Sequence, residues 1–199
     1  MRPTRPTAIN LRRRALLVAM LLAAVSPALR AQNQKWQLQP SFSDPELRLL
    51  DQDGKSWRLF EDLIRGRTVV VNFIYTDCLM VCPTQTAMLR ELRKQLDEKS
   101  REVLLLSLTV DPLNNQPQQL RDFARDHGLT LGLEHGWIML TGSMPAMKTV
   151  LKAFNADSPI PGEHPDLLWV GNEPRQRWTR SFSINTPPTL LRLINEVQE

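Results

Sequence analysis

The sequence predicts an α/β fold in which helices flank a central mixed β-sheet. Two runs rich in β-branched, aliphatic and aromatic residues, at 69–75 and 103–110, are typical of strands that are buried on both faces of a sheet. A helical pattern follows each run. Near the end of the chain, apolar stretches at 167–170 and 178–182 flank a polar turn, which predicts an antiparallel hairpin. Helix-connected strands and a hairpin together give a mixed sheet.

The first half of the chain supplies a hairpin, the first buried strand and a helix. Residues 47–50 and 56–59 are predicted to pair around a turn that contains Gly54. A short turn at 60–64 then leads into the buried strand. The helix that follows has Pro83 in its first turn, where the missing N–H does no harm. Its apolar side chains recur three or four residues apart, at Met88, Leu89, Leu92 and Leu96.

The second half continues the alternation of helices and strands. A helix at 116–127 is closed by Gly128, and a short strand at 137–140 precedes a helix at 143–154. The inward face of this last helix is predicted to contain five apolar side chains, those of Met144, Met147, Val150, Leu151 and Phe154.

The C-terminal helix begins after the hairpin. Thr186 is predicted to cap it, Pro187 occupies its first position, and it runs to Val197. The order of elements is then two strands, three strand-helix units, and a hairpin with a helix. This is the order of an elaborated thioredoxin-like fold with an extra N-terminal β-hairpin.

The net charge of +4 belongs to the N-terminus and not to the folded part of the chain. With 199 residues the chain is long enough for one domain with a substantial core. Residues 1–31 contain six of the 25 basic residues and no acidic one, which leaves 19 basic against 21 acidic residues. A weakly acidic domain has no electrostatic reason to bind phosphate backbones, so no nucleic-acid partner is expected.

Residues 1–31 have the pattern of an export signal that is cleaved. A basic stretch at 12–14 precedes 11 apolar residues at 15–25, and small residues follow at 26–31. The apolar run is shorter than the roughly 20 residues of a membrane span. No cysteine lies near the cleavage region, which argues against a lipid-anchored form. Residues 32–45 are then a linker or extended edge, and 46–199 form the folded domain.

The only two cysteines, Cys78 and Cys82, are placed at the turn from the first buried strand into its helix. Helix N–H groups and the helix dipole favour a thiolate there. Side chains four residues apart on a helix are about 5–6 Å apart, so the sulfurs either close a disulfide or bind one soft metal ion. A purely structural disulfide is disfavoured, because so short a loop stabilises little. The spacing does not choose between redox and metal chemistry.

Several stretches resemble the Sco/SenC family of copper chaperones, thioredoxin-like proteins associated with assembly of the copper centre of cytochrome c oxidase. The most specific is Cys-x-x-x-Cys-Pro at 78–83, which follows a strand with Phe-x-Tyr-Thr at 73–76. Further matching stretches are found at 50–55, 107–112 and 140–142. The resemblance covers about residues 46–185.

The resemblance implies that Cys78, Cys82 and His164 bind one copper ion. In the family the third ligand is a histidine just before the strand that opens the final hairpin, and His164 occupies that place. Two positions differ from the family pattern: Met80 replaces an acidic residue inside the cysteine motif, and Pro165 replaces a small hydroxyl residue after the histidine. Neither change removes a ligand. Met80 either lends a thioether to copper(I) or fills a gap in the loop.

The sequence is therefore consistent with two functions. The first is a metallochaperone that delivers copper to the copper centre of cytochrome c oxidase, with an acceptor such as subunit II. The second is a thiol-disulfide oxidoreductase in which Cys78 and Cys82 keep the cysteines of an acceptor reduced. Zinc would accept the same three ligands with a water, so copper rests on the resemblance. The export signal predicts that the protein is in the periplasm, either free or anchored to the inner membrane.

Overall fold

The structure, a computed structural model, describes residues 39–79, 81–96 and 103–199. A seven-stranded mixed sheet in the order β2-β1-β5-β4-β3-β6-β7 runs through the domain. The predicted α/β class with a central mixed sheet is confirmed. The predicted export signal lies outside the described residues.

Three parallel strands form the centre of the sheet: β3 (Thr68–Ile74), β4 (Val103–Thr109) and β5 (Trp137–Thr141). Every residue of these strands is buried. Layers of other elements therefore cover both faces, as the continuous apolar runs predict. Since the strands are parallel, the segments that follow them leave the sheet at the same edge.

Antiparallel hairpins complete the sheet on both sides. Strands β1 (Arg48–Asp51) and β2 (Ser56–Arg58) add to β5, and strands β6 (Leu168–Asn172) and β7 (Arg177–Ser181) add to β3. The first of these pairs is the predicted N-terminal hairpin. Strand β6 is antiparallel to β3, so the segment that enters β6 lies at the edge where β3 ends.

The α-helices are α1 (Val81–Gln95), α2 (Pro117–Asp126), α3 (Met144–Ala153) and α4 (Pro187–Gln198). Short helical segments occur at Leu59–Ile64, Leu133–His135 and Pro161–Glu163, of which the first is a π-helix. The Thr186 side chain accepts a hydrogen bond from the Thr189 N–H, which confirms the predicted cap. None of the helices in the described part of the chain has the length and apolar character of a membrane crossing.

Helix α3 differs from its prediction at one end. Four of the five predicted inward residues, Met147, Val150, Leu151 and Phe154, are buried, but Met144 is 48% exposed. Met144 is the first residue of the helix, and it is followed by Pro145. The helical period places it on the inner stripe, but at the first position of the helix this stripe is not covered. The prediction for Met144 is therefore wrong.

Candidate metal and thiol site

The cysteine pair lies where β3 passes into α1. Both cysteines are free thiols and buried, with 8% of Cys78 and 1% of Cys82 exposed. The Cys78 side chain lies close enough to Cys82 to shift the pKa of its thiol. In addition, the Cys82 backbone N–H donates to the Cys78 sulfur at 3.2 Å. The structure thus brings the two predicted residues into contact and directs an N–H group of the first helical turn at one of the sulfurs.

Burial controls the protonation of Cys82. The pKa of the Cys82 thiol is raised to about 12, mainly by burial and secondly by the neighbouring Cys78 side chain. A backbone hydrogen bond with Tyr75 acts in the opposite direction. The expectation that the turn favours a thiolate is therefore wrong for Cys82, because desolvation of the charged form outweighs the helix N-terminus.

Tyr75 is a residue of the site that the sequence analysis did not single out. Its carbonyl accepts the Cys78 backbone N–H at 3.2 Å. Burial raises the pKa of Tyr75, and the neighbouring Cys78 raises it further. The phenol therefore keeps its proton and can donate it to a sulfur acceptor. The aromatic residue three positions before Cys78 is the sequence signal that could have identified it as part of the site.

His164 lies in the loop that enters β6, immediately after the short helix Pro161–Glu163. Its Nδ1 is 3.1 Å from the Pro165 carbonyl oxygen. Since a carbonyl only accepts, Nδ1 carries the proton and Nε2 keeps the lone pair that a metal requires. Burial lowers the pKa of His164, which also favours the neutral ligand form.

Tyr75 contacts the histidine loop through its ring and the cysteine loop through its backbone. The ring centroid is 6.3 Å from that of the His164 imidazole, and the two rings meet edge to face. Within the described part of the chain, no three His, Cys, Asp or Glu side chains lie close enough together to bind one metal ion. The structure therefore joins Cys78 and Cys82, and Tyr75 contacts both the cysteine loop and the His164 ring.

A buried amide holds the cysteine loop in place. Asn115 is 1% exposed and follows β4. Its Oδ1 accepts from the Thr76 N–H at 3.1 Å and from the Thr109 hydroxyl at 2.8 Å, and its Nδ2 donates to the Thr76 hydroxyl at 2.7 Å. These bonds tie the residue after Tyr75 to the end of the neighbouring strand. The loop that presents the cysteines is thus anchored to the sheet.

The edge of the sheet around the cysteines is apolar and acidic. Apart from Leu133, every large apolar side chain that is exposed in the described residues belongs to a segment at this edge: Leu79, Val81, Leu113, Met144, Ile160, Phe182 and Ile184. The loops at 75–79, 110–116, 154–167 and 182–186 contain five acidic residues and neither Lys nor Arg. Exposed apolar side chains concentrated in one region are typical of interaction surfaces.

The other two histidines of the chain belong to other elements. His127 follows α2 and its ring stacks on Phe123, while the His135 Nε2 lies 3.6 Å from the Glu134 Oε1. Met80, the candidate thioether ligand, lies outside the described residues.

Comparison with known sequences identifies one family. The sequence profile of SCO1/SenC matches residues 35–164. A SCO1 protein homolog of Bacillus subtilis is 34% identical over 108 residues, which are 53% of this chain and 53% of that protein. A Stutzerimonas stutzeri protein with the provisional name of copper-binding protein is 32% identical over 152 residues, 73% of this chain and 71% of that protein. The match to the Bacillus subtilis homolog thus spans about half of its length.

Two solved structures with the same fold are described as members of the SCO1/SenC or Sco family. A SCO1/SenC family lipoprotein from Bacillus anthracis superposes with a TM-score of 0.64 and 25% identity, over 83% of this chain and 96% of that one. BsSco, described as a member of the Sco family of cytochrome c oxidase assembly proteins with a disulfide switch, superposes with a TM-score of 0.61 and 27% identity. That match covers 82% of this chain and 92% of BsSco.

Proposed function

The chain belongs to the SCO1/SenC family, and we propose that it is a copper-binding metallochaperone for the assembly of cytochrome c oxidase. Cys78 and Cys82 provide two thiolates and His164 an imidazole to one copper ion, which leaves an open side for transfer. The acceptor is the copper centre of the oxidase, in a protein such as its subunit II. Copper is the cargo of this reaction and not a permanent part of the protein.

The observation that carries this proposal is the contact between the Cys78 and Cys82 thiols beside the histidine loop. Two sulfur ligands and one neutral imidazole suit copper better than hard cations such as Mg²⁺ or Ca²⁺. Both thiols must lose their protons when they bind the metal, and a disulfide would consume both ligands. Oxidation of the pair therefore prevents copper binding.

The predicted export of the protein is consistent with a redox-active cysteine pair and with an acceptor outside the cytoplasm. In an oxidising compartment a cysteine pair in contact can form a disulfide, so its redox state becomes part of its regulation. We propose that the protein acts on the periplasmic side of the inner membrane after export by residues 1–31. The apolar and acidic edge around the cysteines supports docking of a protein acceptor there.

A second function is favoured by one feature of the site. The two cysteines are already in contact, whereas His164 does not form a group of three metal-binding side chains with them in the described residues. A thiol-disulfide oxidoreductase needs only the sulfurs. In that function, two thiols of this protein reduce a disulfide of the acceptor: two electrons and two protons pass to the acceptor sulfurs, and Cys78 and Cys82 form a disulfide.

Replacement of single ligands distinguishes the two functions. In the reduced protein, His164→Ala is expected to weaken copper retention by at least the 10- to 100-fold typical of lost partners around a metal site. The same change should leave the disulfide between Cys78 and Cys82 able to form. Cys78→Ser or Cys82→Ser should abolish both activities. Copper retention is measured by competition with a chelator, and disulfide formation by thiol labelling.

The control is His127→Ala, which removes an imidazole from the end of α2. It should bind copper as the parent does. If His164→Ala also binds copper like the parent while either cysteine change prevents thiol exchange, the metal site is not the proposed one and the oxidoreductase function takes its place.

A further inference from the structure

We propose that a groove beside the loop of His164 is the docking site for a segment of the acceptor protein, and that this segment carries Lys or Arg next to apolar side chains. The groove lies between the loop at 110–116, helix α3 and the loop at 154–167, and its volume is about 540 Å³. We call it the docking groove. That its occupant is an acceptor rests on the proposed function, whereas the chemistry of the occupant follows from the groove itself.

The docking groove is lined by apolar side chains that nothing in the described part of the chain covers completely. Met147 and Leu151 of α3 line it and are buried. Leu113 and Met144 also line it, and they are 70% and 48% exposed. Large apolar side chains that remain exposed beside a concave surface are typical of interaction sites, and methionine adapts its shape to a partner. An apolar segment in the groove would cover both exposed side chains.

The charges around the docking groove define the charge of the partner. Asp111 and Asp157 line the groove, and among its lining residues in the described part of the chain only Lys148 is basic. Glu163 and Asp166 follow in the same loop as Asp157, and this loop contains neither Lys nor Arg. Among the described residues, none of these four carboxylates belongs to an ion pair. Their negative potential attracts a basic partner and repels an acidic one.

The docking groove is continuous with the segment that holds His164. Pro161 lines the groove and begins the short helix Pro161–Glu163. Its carbonyl accepts the His164 backbone N–H at 3.4 Å. A segment bound in the groove therefore contacts the residue to which the His164 backbone is bonded. Docking there brings the acceptor next to the proposed histidine ligand.

Synthetic peptides test the docking groove without copper and without an oxidase. Two short peptides share the same apolar residues, but one has Lys and the other Glu at every charged position. In nuclear magnetic resonance titrations of the reduced, metal-free protein, the Lys peptide should shift the amide signals of Leu113 and Met144. At low salt it should bind about ten-fold more tightly than the Glu peptide, and added salt should reduce this difference. Equal binding of the two peptides, or shifts confined to other surfaces, would overturn the inference.

Two variants separate the charge from the apolar contact. Asp157→Lys reverses an exposed charge and should reduce the preference for the Lys peptide by about three-fold or more. Met144→Ser should weaken both peptides by about ten-fold, because it removes apolar area that the peptide would bury. The control is Leu133→Ser, which removes an exposed apolar side chain from the short helix before β5. It should bind both peptides as the parent does, and equal losses in Met144→Ser and Leu133→Ser would contradict the inference. Thermal unfolding verifies that each variant is folded.

A second copy of the chain is the other candidate occupant of the docking groove. Sedimentation of the reduced protein over a range of concentrations should show a monomer. A dimer that Met144→Ser abolishes would identify the groove as an interface between copies and overturn the inference. Failure to bind copper would count against the proposed function alone, because the peptide titrations do not involve the metal.

Discussion

Asn115 provides the sharpest test of how the cysteine loop is held. Replacement by Ala removes three hydrogen bonds, two to Thr76 and one to Thr109. Each is expected to contribute about 1 kcal/mol net, so the free energy of unfolding should fall by roughly 3 kcal/mol. For a domain of this size, 1 kcal/mol corresponds to about 2–4 °C, and the expected decrease in Tm is therefore about 6–12 °C.

The neighbouring Asn114 is the matched control. Its side chain is exposed, and its amide bonds only to Asp111, three residues earlier. Asn114→Ala should change the free energy of unfolding by about 0.5 kcal/mol or less. Denaturant and thermal unfolding of the reduced protein measure both variants. If the two variants are equally stable, the Asn115 amide does not anchor the loop, and the reasoning from its burial and bonds fails.

Two further changes test the packing and the charges of the fold. Gly171→Ala should destabilise the protein by about 1–3 kcal/mol in denaturant unfolding, because a Cβ on β6 would overlap the buried Trp178 indole; a stability equal to the parent's would mean that the ring moves freely. Asp62→Asn should lower the Tm at pH 7, since hydrogen bonds from Arg58 hold the pKa of Asp62 below its ordinary value. That contribution is present above the unfolded pKa of about 3.9 and is lost as the pH falls through the lower folded value. The Tm difference between Asp62→Asn and the parent should therefore shrink in acid, and a constant difference from pH 7 to pH 2 would contradict this assignment.

The sequence predicts the fold well because its strongest signals are local and repeated. The apolar runs of β3 and β4 have no polar face, so burial on both sides follows from composition alone. Helix ends are likewise marked by single residues, such as Thr186 before α4. The resemblance to the Sco/SenC family is confirmed, since its sequence profile covers most of the domain. Met144 shows the limit of such local signals, because helical periodicity does not reveal which turns of a helix are covered.

The site is less predictable because its properties arise between segments that are distant in the sequence. The cysteine spacing predicts the contact between Cys78 and Cys82, which the structure contains. The position of Tyr75 against the loop that contains His164 depends on how β6 enters the sheet, 89 residues later in the chain. The protonation of Cys82 depends on its burial beneath the loop, which no local pattern measures.

Differences in exposure between the two sulfurs indicate the order in which they react. Cys78 is 8% exposed, its sulfur accepts an N–H from α1 and its own N–H donates to the Tyr75 carbonyl, whereas Cys82 is 1% exposed. In either proposed function, we therefore expect a metal ion or an acceptor sulfur to reach Cys78 first. Burial keeps the Cys82 thiol protonated until a positive ion or a bond to Cys78 changes its surroundings. In both proposed functions the first step is then expected at Cys78 and the second at Cys82, so that one pair of residues could serve either chemistry.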